Sequence, residues 1–128
     1  MTRLVLPWPP SINHYWRHVK IGKSIRTLIS AEGREYKNAV AAACVEQKAP
    51  RGLKGRIAMT IKLSPPDKRR RDIDNVLKAV CDSLTYAHVW DDDSQIDDLR
   101  IYRDSCMQDG QAVIDIYEIQ SVTDARGR

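Results

Sequence analysis

The chain has 128 residues, 42% hydrophobic and 30% charged, with no Phe, which suits one globular domain with a modest core. No apolar run approaches the roughly 20 residues that span a bilayer, and no signal-peptide pattern opens the chain, so a cytoplasmic location with no membrane partner is expected. The net charge of +4 hides a split: through Arg71, 16 Lys and Arg face 4 Asp and Glu, a balance of +12, and from Asp72 onward 5 face 13, a balance of −8. A basic half followed by an acidic one suits a protein that grips a polyanion and holds a cation beside it.

In chain order, Leu4-Val5-Leu6 predicts a short strand. Pro7, Pro9 and Pro10 then force an extended or turning segment. Residues 11–18, Ser-Ile-Asn-His-Tyr-Trp-Arg-His, mix aromatic, amide and basic side chains that can stack on bases and hold phosphates. The plain alternative is that Tyr15 and Trp16 pack beneath a loop. Gly22 marks a hairpin turn, with residues 24–29 as the returning strand. Ser30 then caps a helix from residue 31 to about 47, whose buried stripe is Tyr36, Ala39, Val40, Ala43 and Cys44. Residues 49–55, with Pro50 and two glycines, form a connecting loop. Residues 56–63 alternate with the period of a half-buried strand, and Ser64-Pro65-Pro66 ends it.

The most informative stretch follows. Four basic residues, Lys68, Arg69, Arg70 and Arg71, run into Asp72-Ile73-Asp74-Asn75. Ile73, Leu77, Val80, Cys81 and Leu84 share one helical face, and Asp74, Lys78 and Asp82 share another. At 1.5 Å rise per residue, Asp74 and Lys78 lie about 6 Å apart along the axis. Mg²⁺ and Mn²⁺ favour carboxylate oxygens and keep waters or phosphates as their remaining ligands. Asp72 and Asp74 supply two such groups, and Asp91, Asp92 and Asp93 are the nearest source of a third. The plain alternative makes Asp72 or Asp74 a helix cap, pairs Lys78 with Asp74 or Asp82, and leaves the later acidic run as solvated loop.

Residues 96–103 and 112–119 read as two more strands, joined by a turn at Asp109-Gly110 and expected to form an antiparallel hairpin. Residues 121–128 are polar, without periodicity, and are expected to be a flexible tail after a single domain of residues 1–120. The order of elements gives an α+β fold, two main helices packed on one mixed sheet. Cys44, Cys81 and Cys106 lack metal-site spacing and read as reduced thiols. His14 and His18 have no third ligand nearby, and no glycine-rich phosphate loop is present, which argues against a nucleotide cofactor.

The stretch PPDKRRRDIDNVLKAVCDSLTYAHVWDDDSQIDD resembles the signature of the RusA family of Holliday junction resolvases: D-x-D-N-x-x-K, then D-x-L, then W-x-D-D-x-Q. LPWPPSINHYWRH and Ser30-Ala31-Glu32-Gly33 are similar to the family's N-terminal motifs, and the likeness covers residues 4 to 103. It implies a metal-dependent endodeoxyribonuclease that makes paired nicks in four-way junction DNA during recombination and repair, bacterial or phage-encoded. The family's essential carboxylates fall on Asp72, Asp74 and Asp93, with Asp92 beside the last, and its essential lysine falls on Lys78. Mg²⁺ or Mn²⁺ would be the cofactor, a homodimer the assembly, and Asn13, Tyr15, Arg17, Lys68, Arg69, Arg70 and Arg71 the contacts to DNA. Two rival classes stand beside this reading: a branched-DNA-binding protein without catalysis, and a nuclease acting on forks or flaps.

Overall fold

In the computed structural model, which describes residues 1–119, strand β4 (Arg56–Ser64) is the spine of a four-stranded sheet. Its alternation explains the placement: Ile57, Met59, Ile61 and Leu63 are at most 2% exposed, whereas Ala58, Thr60 and Lys62 are half-buried on the other face. Strand β6 (Gln111–Ile119) pairs with β4 antiparallel, and β1 (Thr2–Pro7) pairs antiparallel with β6. Strand β5 (Ile96–Arg103) lies parallel to β4 on its other side, giving the order β1-β6-β4-β5 and a mixed sheet. The fold is α+β, as expected.

The expected hairpin of the last two strands is not formed, because β4 lies between them. A β5–β6 hairpin would leave β4, with its four deeply buried apolar residues, on an edge with half its backbone groups unpaired. Instead the chain leaves β5 and crosses the end of β4, with Asp104 N–H donating to Leu63 O (2.7 Å) and Met107 N–H to Pro65 O (2.9 Å). It then turns through Asp109 and Gly110, both at positive φ (66° and 68°), into β6. Gly110 has no room for a side chain: a Cβ there would stand 2.9 Å from Trp8 Cβ and from Pro66 Cδ.

Helix α2 (Ala31–Glu46) and helix α3 (Leu77–Tyr86) pack against each other. Tyr36, Val40, Cys44, Val80 and Leu84 join the sheet's inner residues and Trp90 in one core. The buried stripe of α2 is narrower than its periodicity suggests, since Ala39 is exposed and Gly33 is buried. Ser30 caps the helix by accepting from Gly33 N–H at 2.9 Å, and its own hydroxyl faces the carbonyls of His14 and Tyr15. Gly33 permits this join: a Cβ would meet Tyr15 O at 2.7 Å and Ile29 Cγ1 at 2.8 Å. The joined segment is a single helical turn, α1 (Ile12–Tyr15), leading into a separate two-stranded hairpin of β2 (Trp16–Ile21) and β3 (Ser24–Ile29). That hairpin pairs with no strand of the main sheet and leaves Ile21, Ile25 and Leu28 exposed. Residues 121–128, expected to form a tail, lie outside the described residues. Among the described residues no helix is long and apolar enough to cross a membrane.

Candidate active site

The candidate residues hang on the β4–α3–β5 unit, and the turn leaving β4 is organised by Asp67. Its Oδ1 accepts from Arg69 N–H (2.9 Å) and pairs with Arg71 Nη1 (2.8 Å), and Oδ2 stands 3.2 Å from Arg69 Nε. The Arg71 guanidinium, with help from Arg69, holds the Asp67 carboxyl well below the usual carboxylate range. Arg71 also lies 5.7 Å over the Trp8 ring, and Arg103 Nη2 donates to its carbonyl at 2.7 Å. The basic run is therefore not four equivalent cations. Arg69 and Arg71 are engaged in shaping the turn. Lys68 and Arg70 make no hydrogen bond or ion pair through their side chains among the described residues.

Asp72 sits in extended backbone (φ −82°, ψ 132°) before a 3-10 turn, Ile73–Val76, that feeds into α3. It occupies the cap position, yet its carboxylate caps nothing, and neither it nor the Asp74 carboxylate has a hydrogen bond or ion pair among the described residues. Lys78 pairs with Asp82 (Nζ–Oδ1 3.1 Å), not with Asp74. The reason lies in the tighter turn: a 3-10 segment advances about 120° per residue against about 100° for an α-helix, so Asp74 rotates off the face it would share in a continuous helix. The Asp82 hydrogen bond raises the pKa of the Lys78 ammonium, with the charges of Asp82 and Asp93 adding and partial burial opposing.

Below this pair lies Tyr15. It is fully buried, packed edge-on against Trp16 at 5.0 Å between ring centroids, so it supports the segment from inside and presents no ring to DNA, contrary to the sequence expectation. A bulky ring before the capped helix finds more apolar surface inside than at the rim. Its hydroxyl lies toward Asp82 without reaching hydrogen-bond geometry, and burial, then the Asp82 charge, push its pKa far up. Cys81 is buried beside the same charges, its thiol pushed up to about 12, chiefly by desolvation, which makes it inert as a nucleophile. Asn13 and Arg17 are exposed, as contacts to DNA require.

Each member of the acidic triplet has a different engagement. Asp91 Oδ2 pairs with Lys54 Nζ at 2.8 Å. Asp92 caps the second 3-10 turn, Asp93–Gln95, accepting from Ser94 N–H, and Ser94 holds its pKa down. Gln95, buried, closes the capping box: its Oε1 accepts from the N–H groups of Asp91 (2.9 Å) and Asp92 (3.0 Å), while Nε2 donates to Leu53 O (2.8 Å) and Gly55 O (2.9 Å). Asp93 is left with no hydrogen bond or ion pair for its carboxylate among the described residues, placed where its charge acts on Lys78 and Cys81.

By donor chemistry, Asp72, Asp74 and Asp93 fit a hard divalent cation: carboxylate oxygens free of other partners. By position they are not gathered, for among the described residues no group of three or more His, Cys, Asp or Glu stands close enough to hold a metal ion. Sequence reasoning gave no structural part to Asp67, and gave Asp82 one only in the plain alternative that pairs Lys78 with Asp74 or Asp82. The second was visible as the i+4 partner of Lys78. The tie of Asp92 was also visible, in the D-x-x-Q spacing of a capping box.

Comparison with known proteins adds the remaining finding. Residues 7–117 match the family model described as Endodeoxyribonuclease RusA. The chain is 38% identical over 120 residues to the crossover junction endodeoxyribonuclease of Enterobacteria phage HK97, covering 94% of this chain and 97% of that protein. It is 39% identical over 116 residues to the crossover junction endodeoxyribonuclease of Escherichia coli K12 (91% and 93% covered) and 40% identical over the same length to that of Enterobacteria phage 82.

Proposed function

The chain belongs to the RusA family of endodeoxyribonucleases, and from that premise we propose that it resolves crossover junctions, cutting four-way DNA by paired nicks through metal-assisted phosphodiester hydrolysis. The observation that carries the reading is the match along nearly the whole chain. What supports its chemistry is a charged lysine, Lys78, paired with Asp82 and within reach of the charge of Asp93, whose carboxylate has no hydrogen bond or ion pair among the described residues.

Asp72, Asp74 and Asp93 would hold Mg²⁺ or Mn²⁺, which when bound supplies Lewis-acid polarisation of the scissile phosphate and a water of lowered pKa. Lys78, paired with Asp82, places an ammonium where negative charge grows on the phosphoryl oxygens. Asp92 shapes the loop that presents Asp93. Lys68 and Arg70, with Asn13 and Arg17, take the backbone phosphates, and Arg69 and Arg71 hold the turn that aims them. A two-fold enzyme suits a substrate with two equivalent strands to cut, and the exposed Ile21, Ile25 and Leu28 of the β2–β3 hairpin offer apolar surface to a second copy.

The test is cleavage of a labelled synthetic four-way junction, a fork and a linear duplex, with and without Mg²⁺. Junction-selective nicking that Asp72→Asn and Asp74→Asn each abolish, with junction binding retained, supports the reading. Binding without cleavage under any divalent ion would reduce the protein to a branch binder, and preference for forks would reassign the substrate.

A further inference from the structure

Beside Asp72 a cleft of about 630 Å³ opens between the proline-rich segment after β1, the first half of α2 and the basic run. Its floor includes Tyr36 and Val76, both buried. Tyr36 Oη donates to Pro7 O at 2.9 Å, so the floor presents apolar surface with its polar atom already satisfied. One wall is Trp8, stiffened by the Arg71 guanidinium over its ring. The polar lining includes Arg69, Arg70 and Arg71, Asp72, and Glu32 and Glu35 of α2; Arg70 and the two glutamates have no side-chain hydrogen bond or ion pair among the described residues.

The two glutamates are the informative part. On a route for phosphates they are a liability, since like charges repel, and among the described residues neither pairs with the arginines that line the same cleft. They become useful if the cleft takes a group that donates hydrogen bonds. An unstacked nucleobase has that character: flat apolar faces for the proline and tryptophan walls, an exocyclic amine for a carboxylate, and an attached phosphate for a guanidinium. The size falls within the range of small-molecule pockets. At a branch point, bases have lost part of their stacking, so extruding one costs least there.

We propose that this cleft receives one unstacked nucleotide next to the cut. Its base lies against the Trp8 and proline surface, its exocyclic amine donates to Glu32 or Glu35, and its phosphate is held by Arg70. The chemistry selects guanine, adenine or cytosine, whose pairing edges each carry an amine, over thymine, which carries none. The inference rests on the junction-resolving reading, and makes the cleft a source of sequence preference at the cleavage position.

Two measurements test it. In the first, junctions carrying each of the four bases beside the nick are cut by the wild type and by the double variant E32Q/E35Q, whose exposed positions tolerate the change without unfolding. The wild type should favour an amine-bearing base over thymine by about tenfold or more, and the variant should lose that ranking. An unchanged ranking in the variant overturns the proposal, as does a wild type indifferent to the base. In the second, junctions with 2-aminopurine at the branch are bound in EDTA. Binding should change the fluorescence, and Trp8→Ala, which removes the quenching ring, should give a brighter complex than the wild type; a signal identical in the two overturns base capture against Trp8. This readout needs no cleavage, so it separates failure of the cleft from failure of the nuclease reading.

Discussion

Replacing Asp82 by Asn keeps the shape of the side chain and removes the charge that stands 3.1 Å from Lys78 Nζ. At that separation, and with an effective dielectric near 20, the pair's gross attraction is roughly 5 kcal/mol. The side chains are 44% and 19% exposed, and solvent screening brings the net value down to about 1 kcal/mol, or roughly fivefold in an equilibrium constant. The sign follows from the direction of the shift. Asp82 favours the charged lysine, so the pair's stabilisation is fully present below the ordinary lysine pKa and is lost as pH rises through the raised folded value. Without Asp82 the ammonium is lost at lower pH. The assay is single-turnover cleavage of a labelled four-way junction between pH 6 and 10.5, with junction affinity measured separately in EDTA. Asp82→Asn should leave cleavage at neutral pH close to wild type, because an ordinary lysine is still charged there, move the alkaline limb of the profile to lower pH, and leave affinity unchanged, while Asp82→Glu restores part of the limb. An alkaline limb identical to wild type would refute the idea that Asp82 sets the charge of Lys78.

Within the acidic triplet, Asp93→Asn should reduce cleavage by about a thousandfold, an effect near 4 kcal/mol. Asp92→Asn, which caps as well as Asp, and Asp91→Asn, which loses a surface pair, should stay within a few fold of wild type; equal loss at all three positions would contradict the assignment. The double change K68Q/R70Q should lower the log–log salt slope of junction binding by about 1.8, near 0.9 per phosphate contact, and an unchanged slope would move the DNA path elsewhere. Gly33→Ala should destabilise by about 1–3 kcal/mol in urea unfolding, because its methyl would stand 2.7 Å from Tyr15 O. A stability gain of about 1 kcal/mol, the ordinary benefit of Ala over Gly in a helix, would show that the contact yields.

Local chemistry was legible where one residue type has one physical use. Ser30 three residues before Gly33, the alternation of residues 56–63, and the Asp109-Gly110 turn all read directly and all occur. Strand partnership was not legible, because β5 and β6 carry the same alternating pattern whether they pair with each other or flank β4. The site divides the same way. The acidic triplet could be seen, but that Lys54 holds Asp91 depends on a contact across 37 residues. The fate of Asp74 depends on four residues choosing a 3-10 turn over an α-helix, a difference of a few tens of degrees that composition does not encode. Tyr15 looked like a surface ring because its neighbours are polar, and its burial follows from Gly33 and Ser30 drawing the segment onto α2.

Gln95 uses every hydrogen-bonding position of its amide, two donors on β4's approach and two acceptances from the acidic turn. A neutral side chain thereby fastens a loop that carries three adjacent negative charges, so its repulsion is contained before any ion arrives. The turn is a frame assembled in advance, and what it fixes is the backbone that carries Asp93; among the described residues the acidic side chains stand too far apart to make a finished cage.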